Sequence, residues 1–155
     1  MSKVLVTGMS GTGKSASLEV LRSRGFVAVD TDTDEWSVWV TQSDGAPDWI
    51  WNEAAILALL DDHEHGQLFV AGCKTNQGKF YSRFDHVVLL SAPAEILLAR
   101  IANRTNNLYG QRDSERAEIL RYIEEVEPRL RATSTLEIDA SDPLLDVVDQ
   151  LEQLA

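Results

Sequence analysis

Five short apolar runs punctuate the chain, with helical patterns between most of them. Residues 3–7 (KVLVT) read as a buried strand that ends at Gly8. Residues 15–24 read as a helix that Gly25 stops. Residues 26–30 (FVAVD) give a second predicted strand. Residues 51–62 carry Ile56, Leu57, Leu59 and Leu60 at helical spacing. Residues 67–71 (QLFVA) and 86–91 (HVVLLS) are the third and fourth strands. Pro93 stands where a helix begins, because proline is pre-set for the first helical position. Ile96, Leu97 and Ile101 continue that helix. Asp113-Ser114 can cap a long helix whose apolar stripe is Ile119, Tyr122, Ile123, Val126 and Leu130, kinked or ended at Pro128. Residues 135–139 (TLEID) form a fifth, weaker strand, and residues 143–154 a closing helix. Strands alternating with helices imply right-handed crossovers, hence an α/β fold with a parallel sheet between helical layers. No repeat or linker interrupts the pattern, so residues 1–155 are read as one domain.

The turn after the first strand changes the picture from fold to chemistry. Residues 8–15 read Gly8-Met9-Ser10-Gly11-Thr12-Gly13-Lys14-Ser15 and fit G-x-x-x-x-G-K-[ST] between a strand and a helix. Glycines permit positive φ, so successive N–H groups turn inward as an anion nest. The N-terminus of the following helix adds positive potential. Lys14 can reach the β- and γ-phosphates, and the Ser15 hydroxyl can ligate Mg²⁺. ATP and Mg²⁺ are therefore the expected cofactors. The competing reading is a glycine-rich turn with a chance lysine.

Composition narrows the setting. A hydrophobic fraction of 44% fills a core and excludes wholesale disorder. No apolar run reaches the roughly 18 residues of a membrane span. Val4 to Val6 is too short for the apolar centre of a signal peptide. Cys73 is the lone cysteine and cannot form an internal disulfide. Together these predict a cytoplasmic protein, monomeric or homodimeric. The net charge of -11 argues against a nucleic-acid footprint.

With these motifs the chain resembles P-loop kinases of the adenylate-kinase and shikimate-kinase group. Arg100-Ile101-Ala102-Asn103-Arg104 is similar to their R-I-x-x-R signature before the lid. Residues 106–112 (NNLYGQR) stand where those kinases carry the lid, here bounded at about 103–113. Ile138-Asp139-Ala140-Ser141 is similar to the stretch beside the adenine, which places Asp139 near the base. Asp30-Thr31-Asp32 is similar to the D-x-D of shikimate kinases. The resemblance implies a three-layer P-loop sandwich with strand order 2-3-1-4-5. It also implies ATP on the loop and an acceptor beyond the second strand, in a segment spanning about residues 31–66. Arg100 and Arg104 are i and i+4, so both are expected on one helix face. A planar guanidinium suits the charge of a transferring phosphoryl group; Arg104 is the first choice for this. Arg100 can instead flank the adenine, and Arg112 can swing in from the lid.

The acceptor side departs from the nucleotide kinases. Residues 26–73 contain no lysine or arginine, but hold Asp30, Asp32, Asp34, Glu35, Asp44, Asp48, Glu53, Asp61, Asp62 and Glu64. A phosphate desolvated without cationic partners is costly, so a neutral or cationic acceptor is favoured. Lys74 and Lys79 are the nearest cations that follow, with Arg83 further on. Trp36, Trp39, Trp49 and Trp51 all fall in this segment. Trp36, Trp49 and Trp51 are candidates to line the acceptor pocket; Trp36 and Val40, at i and i+4, could instead face the core. Asp32 is the candidate base for the acceptor hydroxyl or a holder of magnesium waters, and Asp30 competes for the metal role. No Asp ends the third strand, where Gly72 stands instead. Lys74 and Asn76 are candidate acceptor contacts. His63 and His65, at i and i+2, do not converge on a metal unless extended. The chemistry expected is transfer of the ATP γ-phosphoryl to a hydroxyl of a nucleoside-, sugar- or antibiotic-like acceptor. The alternatives are a nucleoside monophosphate kinase and a regulatory ATPase without acceptor.

Overall fold

The buried run Val4–Val6 organises the molecule, because its side chains alternate between two cores. The computed structural model describes residues 2–105 and 108–155. Strand β1 (Lys3–Gly8) leads through the glycine loop into helix α1 (Lys14–Ser23). Gly25, at φ +90°, turns the chain back into β2 (Ala28–Asp30). A hairpin follows, β3 (Ser37–Thr41) and β4 (Pro47–Trp51), then α2 (Glu53–Asp62) and β5 (Leu68–Ala71). A 3₁₀ segment (Gln77–Arg83) precedes β6 (His86–Ser91) and α3 (Ala94–Asn103). Helices α4 (Asp113–Glu125) and α5 (Glu127–Thr133), strand β7 (Leu136–Asp139) and α6 (Leu144–Glu152) complete the chain.

The main sheet runs β2-β5-β1-β6-β7 and every pair in it is parallel. Counting only these parallel strands along the chain, the order is the expected 2-3-1-4-5. Val4 and Val6 pack with Leu18 and Leu21 of α1 and Val147, Val148 and Leu151 of α6. Leu5 packs on the opposite face with Trp51, Ile56 and Leu60. Leu89, Leu97 and Leu130 bring α3 and α5 onto that sheet.

Three sequence expectations change. The helix expected from Trp51 begins at Glu53, because Trp51 ends β4 and Asn52 caps the helix by accepting from Ala55 N–H at 3.2 Å. Trp36 and Val40 share no helix face: Val40 lies in β3, paired antiparallel with β4. The long helix from residue 113 is broken as Pro128 predicts, at Val126, with that proline, lacking an N–H, in the first turn of α5. Its cap also shifts: Arg112 is the N-cap, and its backbone N–H donates to Glu115 Oε1 at 3.4 Å.

Candidate functional site

The glycine loop lies at the carboxyl end of β1, the edge where open α/β sheets bind ligands. Gly11 and Gly13 hold φ of +86° and +89°, and a Cβ on Gly8 would stand 2.4 Å from the Leu90 carbonyl oxygen. The Thr12 hydroxyl donates back to the Met9 carbonyl at 2.9 Å and closes the loop. Ser10 is exposed at its crest. Lys14 arches over it, with Nζ donating to the Gly8 and Met9 carbonyls at 2.6 and 3.1 Å. Burial pushes the Lys14 ammonium below the usual lysine range, opposed by the fields of Cys73, Asp32 and Asp30.

At the start of α1 the Ser15 hydroxyl donates to Asp30 Oδ2 at 2.6 Å. A hydroxyl and a carboxylate in contact below the loop make a hard-oxygen set suited to Mg²⁺ that keeps most of its waters. Among the described residues no group of three or more His, Cys, Asp or Glu could hold a metal by itself, His63 and His65 included. Asp30 Oδ1 accepts from the Asp32 N–H at 3.1 Å, which turns the chain so that the two carboxylates diverge. Asp32 Oδ1 lies 2.9 Å from Lys74 Nζ.

The tryptophans separate. Trp51 is 0% exposed, its indole N–H donates to Thr31 Oγ1 at 2.8 Å, and its ring meets Phe80 edge-on. It is a core residue and not a pocket wall. Trp36 is half-buried against the same core. Trp49 is half-buried, with Lys74 Nζ 3.9 Å from its ring centroid. Its other neighbour is Trp39, stacked at 5.9 Å and 67% exposed. Asn76 is also reassigned. Its amide clamps the Trp51 N–H and carbonyl, each at 3.0 Å, so it holds the backbone instead of an acceptor. Lys79 and Arg83 pair with Glu53 and Asp61 at 3.0 and 2.7 Å.

The expected arginine pair is also redistributed. Helix α3 ends at Asn103, so Arg104 is its extended C-cap and shares no helix face with Arg100. Arg104 donates to the Tyr109 carbonyl at 2.6 Å, and burial pushes its guanidinium below the usual arginine range. Tyr109 OH in turn donates to Glu118 Oε1 at 2.6 Å, which ties the expected lid to α4. Asn106 and Asn107 of that lid lie outside the described residues. Arg112 is exposed at the start of α4.

Arg100 donates to the Gly11 carbonyl at 3.3 Å and the Ala140 carbonyl at 2.6 Å. It thereby walls a cavity of about 240 Å³ lined also by Gly13, Ala140, Asp142 and Leu144. The cavity adjoins the phosphate loop through Gly11, Thr12 and Gly13. Asp139, expected there, does not line it. Its carboxylate accepts from the Ser141 hydroxyl and N–H, which hold it below the usual carboxylate range. Sequence reasoning missed Asp142, although it lies in the same turn as the stretch similar to the adenine site.

Solved structures similar to this chain include several small-molecule kinases. The shikimate kinase from Acinetobacter baumannii in complex with shikimate superposes with a TM-score of 0.67 at 16% identity, covering 99% of this chain and 92% of that one. A gluconokinase from Sinorhizobium meliloti 1021 gives 0.59 at 17% identity, covering 96% and 88%. A sugar kinase from Janibacter sp. HTCC2649 gives 0.59 at 16% identity, covering 99% and 94%. No curated protein sequence matches the chain. The fold is therefore that of the P-loop kinases the motifs resemble, and at this identity it is the fold alone that the neighbours establish. The AAA domain model matches residues 4–121, from β1 well into α4, and the chain belongs to that family.

Proposed function

We propose that this chain transfers the γ-phosphoryl of ATP·Mg²⁺ to a hydroxyl of a small, neutral or cationic acceptor. One observation carries the reading: beside a phosphate loop, the Ser15 hydroxyl touches Asp30, while Asp32, two residues on, is half exposed and pairs with Lys74 at 2.9 Å. A metal-directed carboxylate and a separate, acceptor-directed carboxylate are what hydroxyl phosphorylation needs. Ser15 and Asp30 would hold Mg²⁺, which supplies charge neutralisation to the phosphates.

The residues then divide the work. The loop N–H groups and Lys14 bind the phosphate chain. Arg100 and the cavity beside Ala140 hold the base. Asp32 accepts the acceptor's proton as its oxygen bonds to the γ-phosphorus and the bond to the bridging oxygen breaks. Arg104 is the first choice to meet the developing charge, and Arg112 is a second guanidinium within the expected lid. The charge pattern favours an acceptor without phosphate: Lys79 and Arg83 are engaged at the surface.

The test is ADP release across a panel of hydroxyl compounds and nucleoside monophosphates. Acceptor-dependent turnover is expected. Hydrolysis indifferent to every acceptor would instead support a regulatory ATPase. Lys14→Ala is expected to remove most turnover with the fold intact by circular dichroism; native activity in that variant sinks the assignment. Arg104→Ala is expected to lower kcat by about 10³-fold, as loss of an arginine finger does.

A further inference from the structure

Residues 26–73 hold no lysine or arginine, yet the ammonium of Lys74 packs against two of their side chains. Lys74 lies between Asp32, at 2.9 Å, and the face of Trp49, at 3.9 Å, and its side chain is 6% exposed. Its loop is braced. The Lys74 N–H donates to Gln77 Oε1 at 2.9 Å, and Gln77 Nε2 donates to Thr7 Oγ1 at 3.1 Å and Tyr81 OH at 3.0 Å. Lys74 is thus anchored to β1 through one amide.

A carboxylate and an indole face around one ammonium are the two contacts by which a protein recognises a cationic ligand. Here the chain's own side chain makes both. On the kinase reading above, we propose that Lys74 is a resident cation filling this slot, so that the acceptor is an uncharged polyhydroxyl compound. An ammonium-bearing acceptor would have to evict Lys74 from Asp32 and Trp49, leaving a desolvated ammonium near Lys14. It would make contacts no better than those it removed. An uncharged polyol needs no exchange. Its hydroxyls accept from the free N–H groups of Lys74 and donate to the second oxygen of Asp32. The inference narrows the charge class allowed by composition alone: carboxylates and tryptophans invite a cation, and that cation is already covalently in place.

The test needs no acceptor in hand. Lys74→Ala removes propylammonium from the site, so n-propylammonium is the probe, followed by tryptophan fluorescence and calorimetry. Saturable uptake is expected in Lys74→Ala, about tenfold tighter (about 1.4 kcal/mol) than in wild type or in Lys74→Ala/Asp32→Asn. The uncharged isostere n-propanol is not expected to compete. Wild-type protein that takes up propylammonium as well as Lys74→Ala does overturns the proposal, as does a Lys74→Ala protein that ignores it. If Lys74→Ala does not fold, the wild-type arm decides: uptake lost in Asp32→Asn overturns the proposal, and no uptake supports it. A parallel titration with Mg·ATP separates the two readings. Failure to bind ATP removes the kinase, whereas the propylammonium result bears on the slot.

Discussion

At residue scale, Gly72 explains why no acidic side chain follows β5. A Cβ there would stand 2.4 Å from Thr31 Oγ1 and 3.1 Å from Trp51 Nε1. The Thr31 hydroxyl is committed, donating to the Ala71 carbonyl at 2.7 Å and accepting from Trp51 at 2.8 Å. The end of β5 is therefore too crowded for any side chain, and the neighbouring β2 supplies Asp30. Gly72→Ala is expected to cost about 1–3 kcal/mol, the range of overpacking, because Thr31 can move only by breaking a buried hydrogen bond. Urea unfolding checks this; a neutral substitution would mean that the Thr31–Trp51 contact is dispensable. The placement of Lys14, Ser15 and Asp30 at one edge of the sheet was legible because it follows from position on a strand end or loop. Trp51 was not, because its burial depends on Thr31, twenty residues away in the chain.

At element scale the central strands β1, β5 and β6 were legible from apolar runs alone, since strands buried on both faces need no alternation, whereas edge strand β7 buries only Ile138 and gives a weaker run. The hairpin was not, although its turn carried a signal. Asp44-Gly45 lies between two β-branched and aromatic runs, with Gly45 at φ +85° and Asp44 Oδ1 accepting from the Ala46 N–H at 2.9 Å. Four tryptophans drew attention to ligands and away from strand pairing. Arg104 was misplaced for a related reason: i, i+4 geometry holds only while the helix lasts, and α3 ends one residue earlier. At the sheet's edge, β7 is secured by ionic contacts. Arg131 donates to Glu137 and Glu127, and Ser91 donates to Glu137. The Arg131 hydrogen bond, helped by Ser91, holds the Glu137 carboxyl below the usual glutamate range. With the folded value depressed, the unfolded chain binds the proton more readily, so this stability is present above about pH 4.3 and is lost as pH falls through the folded value. Arg131→Met is expected to flatten the acid limb of a stability–pH profile measured by chemical denaturation. An unchanged limb would mean that the edge contacts contribute nothing.

Across the whole molecule the distribution of charge sets a competition. Twenty-five acids against fourteen bases leave eleven negative charges uncompensated, ten acids lying in the stretch between Phe26 and Cys73. Several cations are engaged in surface pairs, such as Arg24 with Asp149 and Glu152 at 2.8 and 2.7 Å. Salt weakens both the pairs and the repulsion, so the sign of its effect shows which is larger. Exposed pairs contribute about 0–1 kcal/mol each, and part of that survives at close contact. Repulsion among acids spread over the acceptor side acts over longer distances. It is the first to fall as the screening length shrinks from about 30 Å at 0.01 M to about 10 Å at 0.1 M. Repulsion therefore dominates the response, and Tm is expected to rise over that range. A gain of about 1 kcal/mol corresponds to about 2–4 °C for a chain of this size. Calorimetry in KCl and in tetramethylammonium chloride separates screening, which both salts share, from specific potassium binding. A Tm that falls with either salt would place the ion pairs, and not the acidic wall, in control of the molecule's stability.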